Sequence, residues 1–366
     1  STEDNGIMVV DDCTGNISQI TEGKGLKTNR VMCLLKDHWN NIWIGTSGEG
    51  VLRHTSQLFS YYNLYDHGFS GNRIYAMTSD TTGGIWMSVN QGILGYFNEN
   101  KFRQYTFDSL PLNTKIRSMA SDNYGRIWLG TEGKGLLIID STRIINVSRI
   151  LKSPDSHIIQ ILPGRDSGVW VATQRSGIMF ISLSKNNQLA QVRSFTINEG
   201  LPDKFVNCIA GDKITGRIWF GCRNGTAGYI AENSEIFSFG NHHGLPGQSV
   251  KTMCTDSSGR VYLAIVNQGV YTTFGNQNPR FNPIKGISSK DYSRNIYSMV
   301  VVLSGFLWLG SENGAFKCRP DSLFNSFQEI SHYDSDAGFY GIENCHNSIY
   351  RGSSGEIWFG TLNGLV

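Results

Sequence analysis

The stretch "DNYGRIWLGTEGKGL", residues 122–136, decides how the rest of the chain is read. Side chains alternate across a strand, so along "RIWLGT" Trp128 and Gly130 point to one face while Ile127, Leu129 and Thr131 point to the other. Both faces are apolar or small, which suits a strand covered on both sides: the indole fills a gap between sheets and the glycine leaves room for what faces it. Gly125 and Asp122 fall in the preceding turn, where glycine accepts unusual dihedrals and an aspartate bonds back to nearby amides.

The phrase recurs as "HWNNIWIGTSGEGVL" (38–52), "TTGGIWMSVNQGIL" (81–94) and "SSGEIWFGTLNGLV" (353–366). Alignment on its aromatic gives Trp43, Trp86, Trp128, Trp170, Trp219, Tyr262, Trp308 and Trp358, at spacings of 42 to 50 residues. A period of that size containing several short strands is the mark of a β-propeller, one four-stranded antiparallel blade per repeat. One repeat reads as strands at 31–37, 41–46, 50–55 and 58–63 separated by short polar or glycine-bearing turns. No helical periodicity runs over a comparable length. The chain opens with segments resembling third and fourth strands (6–11 and 16–21) and ends with segments resembling first and second strands (347–351 and 356–361). The expectation is a single all-β propeller domain over 1–366, with eight blades closed by pairing of the two termini; the alternative is seven blades with the end hairpins packed elsewhere.

Composition agrees. Of 366 residues, 42 are glycine and 8 proline, which suits many tight turns between short strands. Lys plus Arg number 32 against 30 acidic residues, a formal charge of +2 that gives no electrostatic case for a nucleic-acid or anionic-membrane partner. No apolar run reaches the roughly 18 residues of a membrane span, and the first residues do not resemble a signal peptide. The chain reads as soluble, with a leader or anchor allowed to have been trimmed away. The seven cysteines (Cys13, Cys33, Cys208, Cys222, Cys254, Cys318, Cys345) lack any Cys-x-x-Cys spacing and read as small buried side chains, not metal or redox groups.

The pattern Asp-x-x-Gly-x-Ile-Trp-x-Gly-Thr-x-x-Gly-Leu, coupled with linkers such as "GLKTN" (25–29), resembles the two-component regulator propeller repeat over nearly the whole chain. The segment 338–366 resembles the final repeat of such sensors, which is followed in that family by an immunoglobulin-like domain, a membrane span and a histidine kinase, none of them present in this sequence. The resemblance implies a non-enzymatic, periplasmic sensor module of a two-component signalling protein, detecting a glycan-derived or similar polar small molecule. It also implies a neighbouring propeller or immunoglobulin-like domain of the parent sensor, or a second copy of the chain, as partners, and no cofactor. The competing classes are a propeller enzyme, such as a polysaccharide lyase or glycan hydrolase, and a protein-interaction scaffold.

Catalytic motifs are weak. "SDNYGRIW" (121–128) resembles the sialidase Asp box, but Asp122 precedes Trp128 by six residues where that motif has five, and no spacing selects an arginine triad. "AGDKITGRIW" (210–219) resembles a signature of quinone-dependent dehydrogenase propellers, yet occurs once and reads as a turn lengthened by one residue. His242 and His243 are adjacent and therefore point apart, with no third ligand at metal spacing. Neither a phosphate-binding loop nor a nucleophile elbow occurs. Recognition is expected on the face bearing the turns after second and fourth strands, whose loops vary most. Those loops carry Arg73, Asn90, Arg175, Arg223, His242, His243, Asn267 and Tyr340, residue types suited to hydroxyls, carboxylates and sugar faces.

Overall fold

The computed structural model describes the chain apart from residues 1–3, 11–14, 16, 23–25, 38–40, 55–57, 91, 108–109, 111–112, 141–142, 152–156, 165–167, 275–278, 287–294, 322–324 and 353–354. Cys13 and parts of the loops at 89–92 and 107–115 thus lie outside the described residues. The architecture is all-β, a propeller of antiparallel sheets, with one short α-helix among the described residues, at Val147–Leu151. No helix among the described residues is long and apolar enough to cross a membrane. Read from sequence as one domain, the chain packs as two compact units, 1–60 with 335–339, and 61–334 with 340–366.

In the larger unit, sheets over 74–105, 115–146, 158–195, 206–239, 250–283 and 296–333 each have four strands paired in chain order, and 344–365 supplies three more. These are called the first to seventh sheets below. The first strand of each lies against the first strand of the next, and Asn344–Arg351 lies against Ile74–Ser79, so the series closes on itself. Closure by pairing of the N-terminal and C-terminal half-sheets is corrected by the strand pairing. Ile7–Val10 and Ile17–Ile20 pair with each other in the smaller unit. The C-terminal sheet is completed instead by Tyr62, whose amide donates to Leu365 O (2.8 Å) and whose carbonyl accepts from Leu365 N (3.1 Å). Segment 58–63, expected as the fourth strand of the 31–55 sheet, thus delivers Tyr62 to the seventh. The cause is aromatic packing: the Tyr62 ring lies 5.2 Å from Phe102, 5.6 Å from Phe97 and 6.1 Å from Trp358, and the Tyr61 hydroxyl donates to Asn363 O at 2.6 Å.

In the second sheet the turn before the repeated aromatic is tied by its aspartate. Asp122 accepts from Tyr124 N (2.9 Å), Arg126 N (3.1 Å), Arg126 Nε (2.7 Å) and Trp128 Nε1 (2.8 Å). The Arg126 guanidinium then crosses to the third sheet, donating to Ser184 O (2.7 Å), Leu183 O (3.2 Å) and Asn187 Oδ1 (3.0 Å). One carboxylate therefore orders a turn, orients an indole and holds a cation that joins two sheets. Asp80 and Asp256 tie the corresponding turns of the first and fifth sheets. Two departures from this spacing leave the indole without an acceptor: Gly352 stands six residues before Trp358 and Asp212 seven before Trp219, and both indole nitrogens are buried without a partner.

The smaller unit packs Ile7, Leu26, Val31 and Ile44 into a small core under a three-stranded sheet, Val31–Lys36, Ile42–Thr46 and Val51–His54. Asp37 repeats the clamp there, accepting from Asn41 N and Trp43 Nε1 at 2.9 Å each. Of the cysteines, Cys208, Cys222, Cys318 and Cys345 are buried as expected and Cys254 nearly so, whereas Cys33 is exposed; all six are free thiols.

Two stability measurements test this architecture. Asp122→Ala removes the acceptor of a fully buried ion pair and is expected to cost about 3 to 5 kcal/mol in denaturant unfolding. Leu365→Ala, at a position with no exposed surface, should cost about 2 to 5 kcal/mol and lower the midpoint of the larger unit.

Candidate functional site

In the first six sheets of the larger unit the first strand has a buried Ile or Val at or next to its start and then breaks register by one position. The bulged residues are Tyr75, Arg117, Ile159, Asn207, Lys251 and Tyr297 in the first six sheets. In the seventh the irregularity widens to Cys345–Ser348. A bulge turns a side chain out of the alternation that would otherwise bury it between sheets. Here it aims polar groups at the space enclosed by the first strands. His346 Nε2 donates to the Lys251 carbonyl of the fifth sheet at 2.7 Å, and Asn347 Nδ2 reaches Gln160 Oε1 of the third sheet and Asn207 O of the fourth, each at 3.5 Å. These bonds join sheets that are not neighbours, so the wide bulge of the last sheet occupies the axis.

Around this plug lie cations braced by aromatic rings. The Arg117 guanidinium lies 5.2 Å from the Tyr75 ring and is held by Glu132 through Nη2 (2.6 Å) and Nε (2.8 Å). Arg73 Nη1 donates to the Tyr75 hydroxyl at 3.2 Å. Lys251 Nζ sits 5.2 Å from the Tyr297 ring. Burial, with the charge of Arg117 adding to it and Glu343 opposing, holds the Lys251 ammonium below its ordinary value. Burial and the charge of Glu343, to which its hydroxyl is hydrogen-bonded, push the Tyr297 phenol up to about 12. Burial, reinforced by Lys251, lowers His346 to about 4. The cluster is a set of positively charged donors, of which Lys251 is the one held at reduced hydration, with Glu132 and Glu343 as counter-charges.

Next to it opens a cavity of about 460 Å³ lined by Tyr65, Asn72, Arg73, Tyr75, Asn90, Ile93 and Leu362. Asn90, with φ of 46°, accepts from Arg73 N through Oδ1 at 3.0 Å and so fixes the mouth. Asn72 donates to Asn363 O, and Asn363 Nδ2 donates to Tyr340 O at 3.1 Å, which ties the Tyr340 loop to the same wall. Of the eight loop residues expected from sequence, the structure therefore gathers Arg73 and Asn90, with Tyr340 tethered nearby. The rest are dispersed over the third, fourth and fifth sheets and the turns that follow them. Arg175 is exposed on the third. Arg223 stacks on Phe205 at 5.6 Å. His243 Nδ1 accepts from Gly240 N at 3.4 Å and its ring packs on Phe239 at 5.1 Å, while His242 is exposed. Asn267 occupies a left-handed hairpin position with φ of 58°. No group of three or more His, Cys, Asp or Glu side chains that could hold a metal ion occurs among the described residues. The axial residues escaped the sequence reading because they lie in strands, not loops. Their signal is a polar residue directly after a buried Ile or Val in an otherwise apolar first strand, as in Ile116-Arg117, Val206-Asn207 and Val250-Lys251.

The two-component regulator propeller family model matches residues 25–48 and 109–133, two copies of the repeat described above. No curated protein matches the chain. Among solved structures, the extracellular domain assigned to a hybrid two-component system of B. thetaiotaomicron is 21% identical, with a TM-score of 0.67, covering 100% of this chain and 48% of that one. A second extracellular domain from B. thetaiotaomicron, assigned to a one-component system, is 18% identical with a TM-score of 0.65, covering 99% and 50%. A catalytically inactive virginiamycin B lyase from Staphylococcus aureus, solved with quinupristin, is 15% identical with a TM-score of 0.64, covering 84% and 96%. These likenesses carry the fold, and the chain spans about half the length of the first two.

The depressed His346 value sets a pH dependence. The folded imidazole takes up its proton only near pH 4 and the unfolded one near 6.5, so the unfolded chain binds the extra proton between those values. Stability is full above about pH 6.5 and is lost as pH falls toward 4, by on the order of 1 to 3 kcal/mol, the lower end applying where solvent reaches the ring. Urea midpoints between pH 4 and 7 should show this slope in the native chain and a flatter one in His346→Gln.

Proposed function

We propose that this chain is a non-enzymatic, extracytoplasmic sensor module of a two-component signalling protein, which binds a glycan-derived or similar polar small molecule at the axial cluster and its adjoining cavity. The observation that carries the reading is the convergence of Arg73, Arg117 and Lys251, each braced on a tyrosine ring, beside a cavity walled by tyrosine and asparagine. Ring-braced cations, one of them partly desolvated, favour a carboxylate or sulfate, and the tyrosine faces suit a sugar ring. The ligand expected is thus a saccharide bearing an acidic group. The likeness to extracellular domains of B. thetaiotaomicron signalling proteins and the matched family model support a periplasmic setting and a downstream kinase. Binding would act through its difference in affinity for two arrangements of the parent protein, whether between neighbouring domains or between two copies.

Calorimetric titration with a panel of uronic-acid and neutral oligosaccharides, with product analysis of the same mixtures, tests this. The expected result is binding of an acidic member without turnover, weakened about tenfold or more in Lys251→Gln and Arg117→Gln. Turnover of any member would move the chain to the enzymes, as with the lyase that shares its fold. Unchanged affinity in both variants would remove the axial cluster from recognition.

A further inference from the structure

A second cavity, of about 690 Å³, opens between the third and fourth sheets. It is bounded by Gly164, by the turn at 211–216 and by Ala231 and Glu232, on the face opposite the one that bears the loops after second and fourth strands. Its origin is written in the repeat. In the second sheet, Asp122 and Arg126 stand six and two residues before the tryptophan and seal the seam to the next sheet, Arg126 bonding Leu183 O and Ser184 O. In the fifth sheet Asp256 and Arg260 occupy the same positions, and Arg260 donates to Asp321 O of the sixth at 3.3 Å. The third repeat has Gly164 and Gly168 there. Neither can seal the seam, and a Cβ at Gly168 would run into the Phe180 ring. The floor is the lengthened turn at 211–216, whose Asp212 accepts from its own Ile214 N at 2.9 Å and from the Thr215 hydroxyl. That turn is the stretch "AGDKITG", for which the axial site has no use.

The walls of the cavity have a definite chemistry. Leu162, Trp170, Phe180, Ile218 and Ile230 make one side apolar. Arg193 enters from the last strand of the third sheet, its guanidinium 4.9 Å from the Phe180 ring and 5.8 Å from the Trp170 ring. Nη1 donates to Ser234 Oγ at 3.1 Å, and the buried Nε has no acceptor. Among the described residues no carboxylate pairs with this guanidinium; Asp212, which accepts within its own turn, and Glu232 line the cavity together with Lys213. A half-buried cation with donors to spare, against an apolar wall, is complementary to an anion carried on an apolar body.

We propose that this seam is a second binding site, separate from the axial one, for a small carboxylate with an aromatic or branched apolar body. The body lies on Leu162, Ile218 and Ile230, and the carboxylate accepts from Arg193. Gly211 lines the cavity with no side chain, and a Cβ there would make ordinary contacts, 3.4 Å to Leu162 and 3.9 Å to Ile218. A larger residue at 211 therefore narrows the cavity while leaving the strand intact.

The test titrates 2-naphthoate, and the neutral 2-naphthalenemethanol, into the full chain, followed by calorimetry and tryptophan fluorescence. Naphthoate is expected to bind about tenfold or more tighter than the alcohol. Arg193→Met should weaken naphthoate by about tenfold or more, Arg193→Lys should retain most of the affinity, and Gly211→Leu should abolish it. Lys251→Gln should leave it unchanged. The proposal is overturned if naphthoate fails to bind at about 10 mM, if the alcohol binds as well, if Gly211→Leu with native unfolding midpoint still binds, or if Lys251→Gln removes binding. Should Arg193→Met not fold, the Arg193→Lys and Gly211→Leu results decide alone.

Discussion

The bond network of one carboxylate underlies the rest of this structure. Asp122 accepts from two amides of its own turn, from the indole nitrogen of Trp128 and from Arg126 Nε, all while the Asp122 side chain is fully buried. A buried carboxylate is tolerable only when its acceptor capacity is filled, and this motif fills it from within seven residues of sequence. The neutralised unit then offers Arg126 as a tie to the next sheet. Variation in this clamp is informative: the Trp358 indole, with glycine in the aspartate position, is unpartnered, and the seam cavity lies where both clamp positions before Trp170 are glycine.

The smaller unit shows what the same repeat looks like without a covering layer. Trp43 has its clamp but is 37% exposed where Trp128 is fully buried, and Leu35 is 65% exposed where the matching Ala120 is at 2%. Met32, Leu34 and Val51 are exposed as well. Local hydrogen bonding therefore shapes the turn and strand, while burial of the two apolar faces depends on neighbouring sheets. The larger unit has those neighbours on every side because its series closes.

The axial cluster follows from the same division. A single-residue bulge near the start of each first strand releases one side chain from inter-sheet packing. In three sheets that residue is a cation or an amide, Arg117, Asn207 and Lys251, and in two it is tyrosine. None of them is close to another in sequence, and each alone would be an unremarkable strand residue. Burial at the axis is why Lys251 and His346 are both driven toward their neutral forms.

By itself, the sequence determined the repeat, its period, its all-β character and the structural role of the aromatic, because each rests on alternation and hydrogen bonds spanning fewer than about 15 residues, within the reach of local turns and hairpins. It also marked the face on which Arg73 and Asn90 meet. Tertiary structure alone decided that Tyr62 completes the C-terminal sheet, that His346 and Asn347 fill the axis, and that two glycines leave an open seam beside Arg193. Each of those outcomes pairs groups from distant repeats. Nothing in a single repeat's alternation states which sheet edge a strand will meet or which bulged side chains will face one another; that is set only when the series of sheets closes.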